Sequence, residues 1–96
     1  MPYQLTIPVI LVIFVNQKIE WIIMELKDTF SKRLRNARLM RGLSMQQLCV
    51  KMNDIVTKQS VSKYERGESM PDSTILIALC KALSISPDYL FRENRS

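Results

Sequence analysis

At 96 residues and 47% hydrophobic content, the chain has apolar material for one modest helical core but not for a deep catalytic cleft. It contains no histidine, which removes the usual general base, the commonest metal ligand and every His-containing zinc motif. The net charge of +5 is uneven: residues 1–30 hold two cations against three acids, and residues 31–96 hold twelve against six, so the second part is the polyanion-binding candidate. No nucleophile has a base beside it in the motif sense, so neither enzymatic activity nor a cofactor is expected. The two cysteines, Cys49 and Cys80, lie far apart within apolar helical patterns and read as buried free thiols suited to a reducing cytoplasm.

The chain opens with the apolar, β-branched run Leu5 to Val15, interrupted by Pro8. At 11 residues this run is too short to span a bilayer as a helix, and no cation precedes it as a secretory signal would require, so no membrane partner is expected. Two readings compete for the leader, residues 1–23. It is an edge strand pairing with a copy of itself, or it is not native to the protein, with translation beginning at Met24; the second is favoured. Ile19 to Met24 could continue the strand or add a helical turn. An uncovered strand of this kind would be an aggregation hazard.

From residue 24 onward the pattern is that of five short helices in one domain, residues 24–96. Lys32 to Arg41 carries five cations and no acid, with Phe30, Leu34 and Ala37 on one stripe; Ser31 can cap its start and Gly42 can end it. Ser44 and Gln47 form an S-x-x-Q capping box for a second helix, Met45 to Met52, with Leu48, Cys49 and Met52 apolar. Asn53, Asp54 and Ile55 make a turn, since Asn and Asp can bond their own backbone or visit the left-handed region.

The third helix, 57–66, is the stretch around which the rest is organised. Thr57 is its candidate cap and Gly67 its terminator, and Val61 and Tyr64 form a narrow inward stripe. Its outer face presents Lys58, Gln59, Ser62 and Lys63. Gln can bond adenine bidentately and Lys can reach guanine acceptors, which is the chemistry of a helix that reads base edges in the major groove. A solvated polar face would look the same in isolation. The setting decides: two helices about such a turn, the second exposing polar groups, form a helix-turn-helix arrangement.

Pro71-Asp72-Ser73 then opens a fourth helix striped by Ile75, Leu76, Leu79, Cys80 and Leu83. Ser86-Pro87-Asp88 opens a fifth carrying Tyr89, Leu90 and Phe91. Tyr89 and Phe91 fit either a dimer surface or internal packing.

Leu34 to Phe91, about 60% of the chain, resembles the Xre family of helix-turn-helix regulators, which includes the lambda-type phage repressors and Cro. The stretches RLRNARLMRGLS, SVSKYERG and PDSTILIALCKALSISPDYLF carry the likeness, in that order. The resemblance implies an all-α, compact five-helix bundle that binds a double-stranded DNA operator as a homodimer and regulates transcription, with repression as the expected sense. It places Lys58, Gln59 and Lys63 at base-reading positions with Ser62 near the same groove, and Ser44, Gln47 and Arg66 in phosphate-contacting neighbourhoods. It also pairs Arg38 with Glu65, and the residues agree, because an unpaired Arg38 would interrupt the apolar side of its helix.

There are three departures from the family pattern. Met45 replaces a common glutamine, the turn NDIV is two residues longer than usual, and Glu68 puts an acid in a loop that is often basic. SKYERG followed by PDS and DYLFR is similar to the amino-terminal domain of regulators linked to ImmA/IrrE peptidases or acting as antitoxins. The alternative function is therefore a protein-interaction module whose partner is a toxin or a peptidase domain, with DNA binding secondary.

Overall fold

A computed structural model of the chain describes residues 9–92, and among these it contains five helices and no strand. They are α1 (Val9–Met40), α2 (Met45–Lys51), α3 (Lys58–Glu65), α4 (Ser73–Leu83) and α5 (Pro87–Phe91). The all-α expectation holds. The first helix, however, does not begin near Lys32.

Helix α1 runs for 32 residues, through the point at Met24 where the sequence divides into leader and domain. The strand reading of the described part of the leader is therefore wrong, and so is Ser31 as a cap. Ser31 is buried inside the helix, its hydroxyl donating to the Asp28 carbonyl at 2.9 Å. No Gly or Pro lies between Val9 and Met40, and Met24 to Leu34 is rich in good helix formers. Once such a segment has nucleated, extending the helix costs little per residue, even through Val and Ile. Local β-propensity loses to continuity.

The other helices begin where their sequence signals lie. Ser44 and Gln47 form the reciprocal capping box, Ser44 Oγ accepting from the Gln47 N–H at 3.0 Å and Gln47 Oε1 accepting from the Ser44 N–H at 2.8 Å. Thr57, Asp72 and Ser86 each accept from the backbone N–H three residues on, so α3, α4 and α5 all carry a side-chain N-cap. Gly42 and Gly67 take φ of +70° and +75°, the left-handed conformation for which their lack of a Cβ suits them. Asn53 and Asp54 both sit at φ +58°, so the long turn between α2 and α3 is made of two consecutive left-handed residues.

The end of α4 has no such signal. Ser84 adopts φ +55° without being glycine, and the guanidinium of Arg41 donates to the carbonyls of Leu83 at 2.7 Å and Ser84 at 3.2 Å. A cation from the turn that follows α1 satisfies carbonyls that the α4 C-terminus leaves open.

The core gathers Phe30 and Leu34 from α1, Leu48 from α2, Val61 from α3, Leu79 and Leu83 from α4, and Leu90 from α5, all fully buried. Each contributes about 1.5–3 kcal/mol through burial. Phe91 stacks on Phe30 with ring centroids 5.6 Å apart, and the Arg33 guanidinium lies 5.1 Å from the centre of the Tyr89 ring. Those two aromatics of α5 thus pack internally, against α1. Cys49 and Cys80 are buried free thiols, and burial pushes both upward in pKa, away from the reactive thiolate.

Arg38 is the buried charge. Its Nε and Nη2 donate to Glu65 Oε2 and Oε1 at 2.6 and 2.9 Å, and Nη1 donates to the Leu43 carbonyl at 2.9 Å. The hydrogen bond to Glu65 raises the Arg38 pKa further above its ordinary value, outweighing desolvation. Because both side chains are less than a tenth exposed, at 9% and 4%, removing one leaves the other charged without a partner. Glu65→Ala should lower unfolding free energy by about 3–5 kcal/mol in urea titration, whereas the double change Arg38→Met/Glu65→Leu should lose clearly less. A double variant as unstable as Glu65→Ala would show that the pair is not the source of the loss.

Candidate nucleic-acid interface

Helix α3 has one inward position that is fully buried, Val61, with Tyr64 half-buried one turn on. Because successive residues turn by about 100°, Lys58, Gln59, Ser62, Lys63 and Arg66 then fall on the side away from the core. The structure brings all five together along one open groove of about 350 Å³, whose remaining wall is Met45 from the first turn of α2. No acid lines it. Lys58, Gln59 and Lys63 are exposed and Ser62 is half-buried.

The side of α3 opposite this groove is held by Glu65. With Arg38 it links α3 to α1, and through the Leu43 carbonyl to the loop before α2. The polar face is thereby set by a bidentate ionic contact with little freedom, which is the preorganisation a reading surface needs.

Ser44 and Gln47 do not line the groove; they sit at its α2 end, occupied with one another in the capping box. Capping uses only an acceptor on each, so the Ser44 hydroxyl and the Gln47 amide NH2 keep their donor capacity. Arg66 does line the groove, but its guanidinium is engaged, donating to both carboxylate oxygens of Glu68 and to the Ser62 hydroxyl. The hydrogen bond from Arg66 holds the Glu68 carboxyl below its ordinary pKa, and Glu68 in turn raises Arg66. Glu68 is thus an ionised counter-charge throughout the neutral range, and it offsets one cation of the surface.

The cations of α1 are distributed differently from the picture that composition suggests. Arg33 lies over Tyr89 and donates to the Arg92 carbonyl at 3.2 Å, Arg38 meets Glu65, Arg41 closes α4, and Lys32 pairs with Asp28 at 3.0 Å. Three of the five cations between residues 32 and 41 therefore serve the bundle. Sequence reasoning missed the roles of Arg33 and Arg41, for which no local signal exists, since their partners lie 59 and 42 residues away. It also treated Met45 only as a replacement, whereas its side chain forms the apolar wall of the groove.

Among the described residues no helix is long and apolar enough to cross a membrane. Comparison with known proteins places the chain in a family. The model of the Helix-turn-helix family HTH_3 matches residues 34–90. A prophage-derived, uncharacterised HTH-type transcriptional regulator, YonR of Bacillus subtilis (strain 168), is 33% identical over 63 residues, 66% of this chain and 56% of that protein. Repressor protein C2 of Salmonella phage P22 is 44% identical over 41 residues, covering 43% of this chain and 19% of the repressor. The chain thus spans just over half of the first relative and about a fifth of the second.

Two crystal structures share the fold. An HTH_3 family transcriptional regulator from Vibrio cholerae superposes with TM-score 0.63 at 28% identity, covering 72% of this chain and 38% of that one. The restriction-modification controller protein C.AhdI from Aeromonas hydrophila superposes with TM-score 0.62 at 31% identity, covering 68% and 96%. With the family match spanning more than half of its residues, over a five-helix bundle in which a turn joins α2 to α3, this chain belongs to the HTH_3 helix-turn-helix family.

Proposed function

We propose that the chain is a cytoplasmic, sequence-specific DNA-binding transcriptional regulator, a repressor, that inserts α3 into the major groove of its operator and binds as a dimer. The observation that carries this reading is the groove face of α3. Lys58, Gln59, Ser62 and Lys63 supply ammonium, amide and hydroxyl groups on one exposed side of a helix whose opposite side is tied down by a buried ion pair. These groups match the donor and acceptor edges that base pairs present in the major groove. Relatives whose names describe a transcriptional regulator and a repressor support the same reading.

In this reading Lys58, Gln59 and Lys63 contact bases, Ser62 supplies a hydroxyl beside them, and Ser44, Gln47 and Arg66 hold phosphates. Gln59 is the residue best suited to carry sequence information, because its amide can meet adenine in two hydrogen bonds at once. The phosphate contacts position the helix without selecting sequence, and they make affinity fall steeply with salt. Arg66 must exchange Glu68 for a phosphate, which lowers its contribution.

Selection from a randomised duplex pool at moderate salt should recover an inverted repeat with half-sites about one helical turn apart. If no sequence is enriched, groove reading loses its support and a protein-interaction role takes its place. Against the recovered operator, Gln59→Ala should weaken binding by about 1–3 kcal/mol and leave random-duplex binding nearly unchanged, measured by fluorescence anisotropy. Equal losses on both duplexes would remove Gln59 from base reading. Glu68→Gln should tighten binding to random duplex roughly threefold and steepen its salt dependence, because it frees Arg66 for phosphate. Since Glu68 stays ionised at neutrality, the gain should be the same across about pH 6 to 8. No gain would show that Arg66 does not reach the backbone.

A further inference from the structure

The groove on α3 makes no use of the first half of α1. From Val9 to Leu26 every residue is exposed, including thirteen large apolar side chains, in a projection on the order of 27 Å long. Apolar patches of this extent on a soluble chain mark contact surfaces. Within it, Val12, Val15, Ile19, Ile22 and Leu26 are separated by three, four, three and four residues. That is the a/d spacing of a helix that packs along another helix, and it lies on the described, helical part of the chain. Lys18 and Glu25 each directly precede a seam residue, Ile19 and Leu26, and so share the same flanking position seven residues apart with opposite charge.

We propose that this arm pairs in antiparallel orientation with the arm of a second copy of the chain. This gives the dimer of the proposed function its contact surface, and in its use on DNA it rests on that reading. Orientation follows from charge. In an antiparallel pair like flanking positions face one another, so Lys18 of each copy meets Glu25 of the other, giving two opposite-charge contacts per dimer. In a parallel pair the residue facing Lys18 is Ile23 and the one facing Glu25 is Phe30, which is fully buried in the bundle.

Packing agrees with this orientation. Pairing Ile19 with Ile22 and Val15 with Leu26 lays the all-apolar start of one helix beside the junction of α1 and α5 in the other. That junction holds a groove of about 340 Å³ lined by Trp21, Ile22, Glu25, Leu26, Thr29 and Phe91. That groove places Phe91 and Trp21 beside the seam residues Ile22 and Leu26, so Val12 and Val15 of the other copy meet an apolar wall wider than one helix.

Sedimentation equilibrium of the full chain tests the pairing. The wild type should sediment at twice its 11.2 kDa mass, and Ile19→Asp should sediment as a single chain while its bundle still unfolds cooperatively. Lys18→Glu and Glu25→Lys should each raise the dimer dissociation constant about tenfold, and the double exchange should return it to within about twofold of wild type. A single-chain wild type, a dimer that survives Ile19→Asp, or a double exchange no tighter than the single ones would overturn the pairing. So would a wild type that stays monomeric and co-pellets with phosphatidylcholine vesicles, which would assign the arm to lipid. The two proposals fail separately. A dimer lost in Ile19→Asp with no duplex enriched by the wild type keeps the pairing and removes operator reading. An enriched operator with a dimer untouched by Ile19→Asp keeps operator reading and removes the pairing.

Discussion

The bidentate contact between Arg38 and Glu65 is the constraint on which the geometry of this bundle depends. It joins the long helix α1 to α3, an eight-residue segment too short to persist as an isolated helix in water. Val61 alone supplies little burial to hold such a helix at a fixed rotation. The guanidinium fork adds direction: two parallel hydrogen bonds to one carboxylate resist the roll of α3 about its axis, and the third bond, to Leu43, ties the same cation to the loop that leads into α2. The rotation of α3 is what determines which side chains line the groove. A structural ion pair thus controls a polar surface on the opposite side of the helix.

Much of this was legible in the sequence because it is local. Capping residues, the Pro87 start of α5 and the glycines at 42 and 67 act on their immediate neighbours, so their signals sit beside their effects. The outer face of α3 was legible for the same reason, since a short helix with one buried position leaves few choices for the rest. What sequence could not supply was anything set by distant partners. Ser84 adopts a left-handed conformation that no glycine announces, and its carbonyl accepts from Arg41, which reaches it from the turn after α1. The engagement of Arg66 by Glu68 is local, yet sequence alone registered only an acid in a basic loop, not that this acid would occupy the groove cation.

The leader shows the opposite failure, a local signal that was misleading. Val, Ile and Phe in succession are favoured in strands, and a strand was the structural reading of the run. Propensity differences between these residues and better helix formers amount to only tenths of a kcal/mol each, and they compete with the near-free extension of a helix already anchored in the core by Phe30, Leu34 and Ala37. A strand would also need a partner to satisfy its backbone, whereas a helix satisfies its own. The apolar character is the same in either case, so the demand for a covering surface, first raised for the strand, passes undiminished to the helix.

Because α1 is one unbroken element, the arm and the bundle are mechanically one body. Residues Val12 to Leu26 carry the proposed seam, while Phe30 to Arg38 on the same helix carry the core and the ion pair to α3. An intact helix is stiff over this length, with its backbone hydrogen bonds closed every four residues. The angle and separation of two α3 helices in a dimer would then follow from the register of the arms, with few hinges between. One heptad of slip in the seam displaces the two bundles by about 10 Å relative to one another along the axis, roughly a third of a helical turn of DNA. The two flanking charge pairs between Lys18 and Glu25 therefore have a task beyond their small energy: they select the register, and through the rigid helix and the Arg38 fork the register selects the spacing at which the two reading faces meet a duplex.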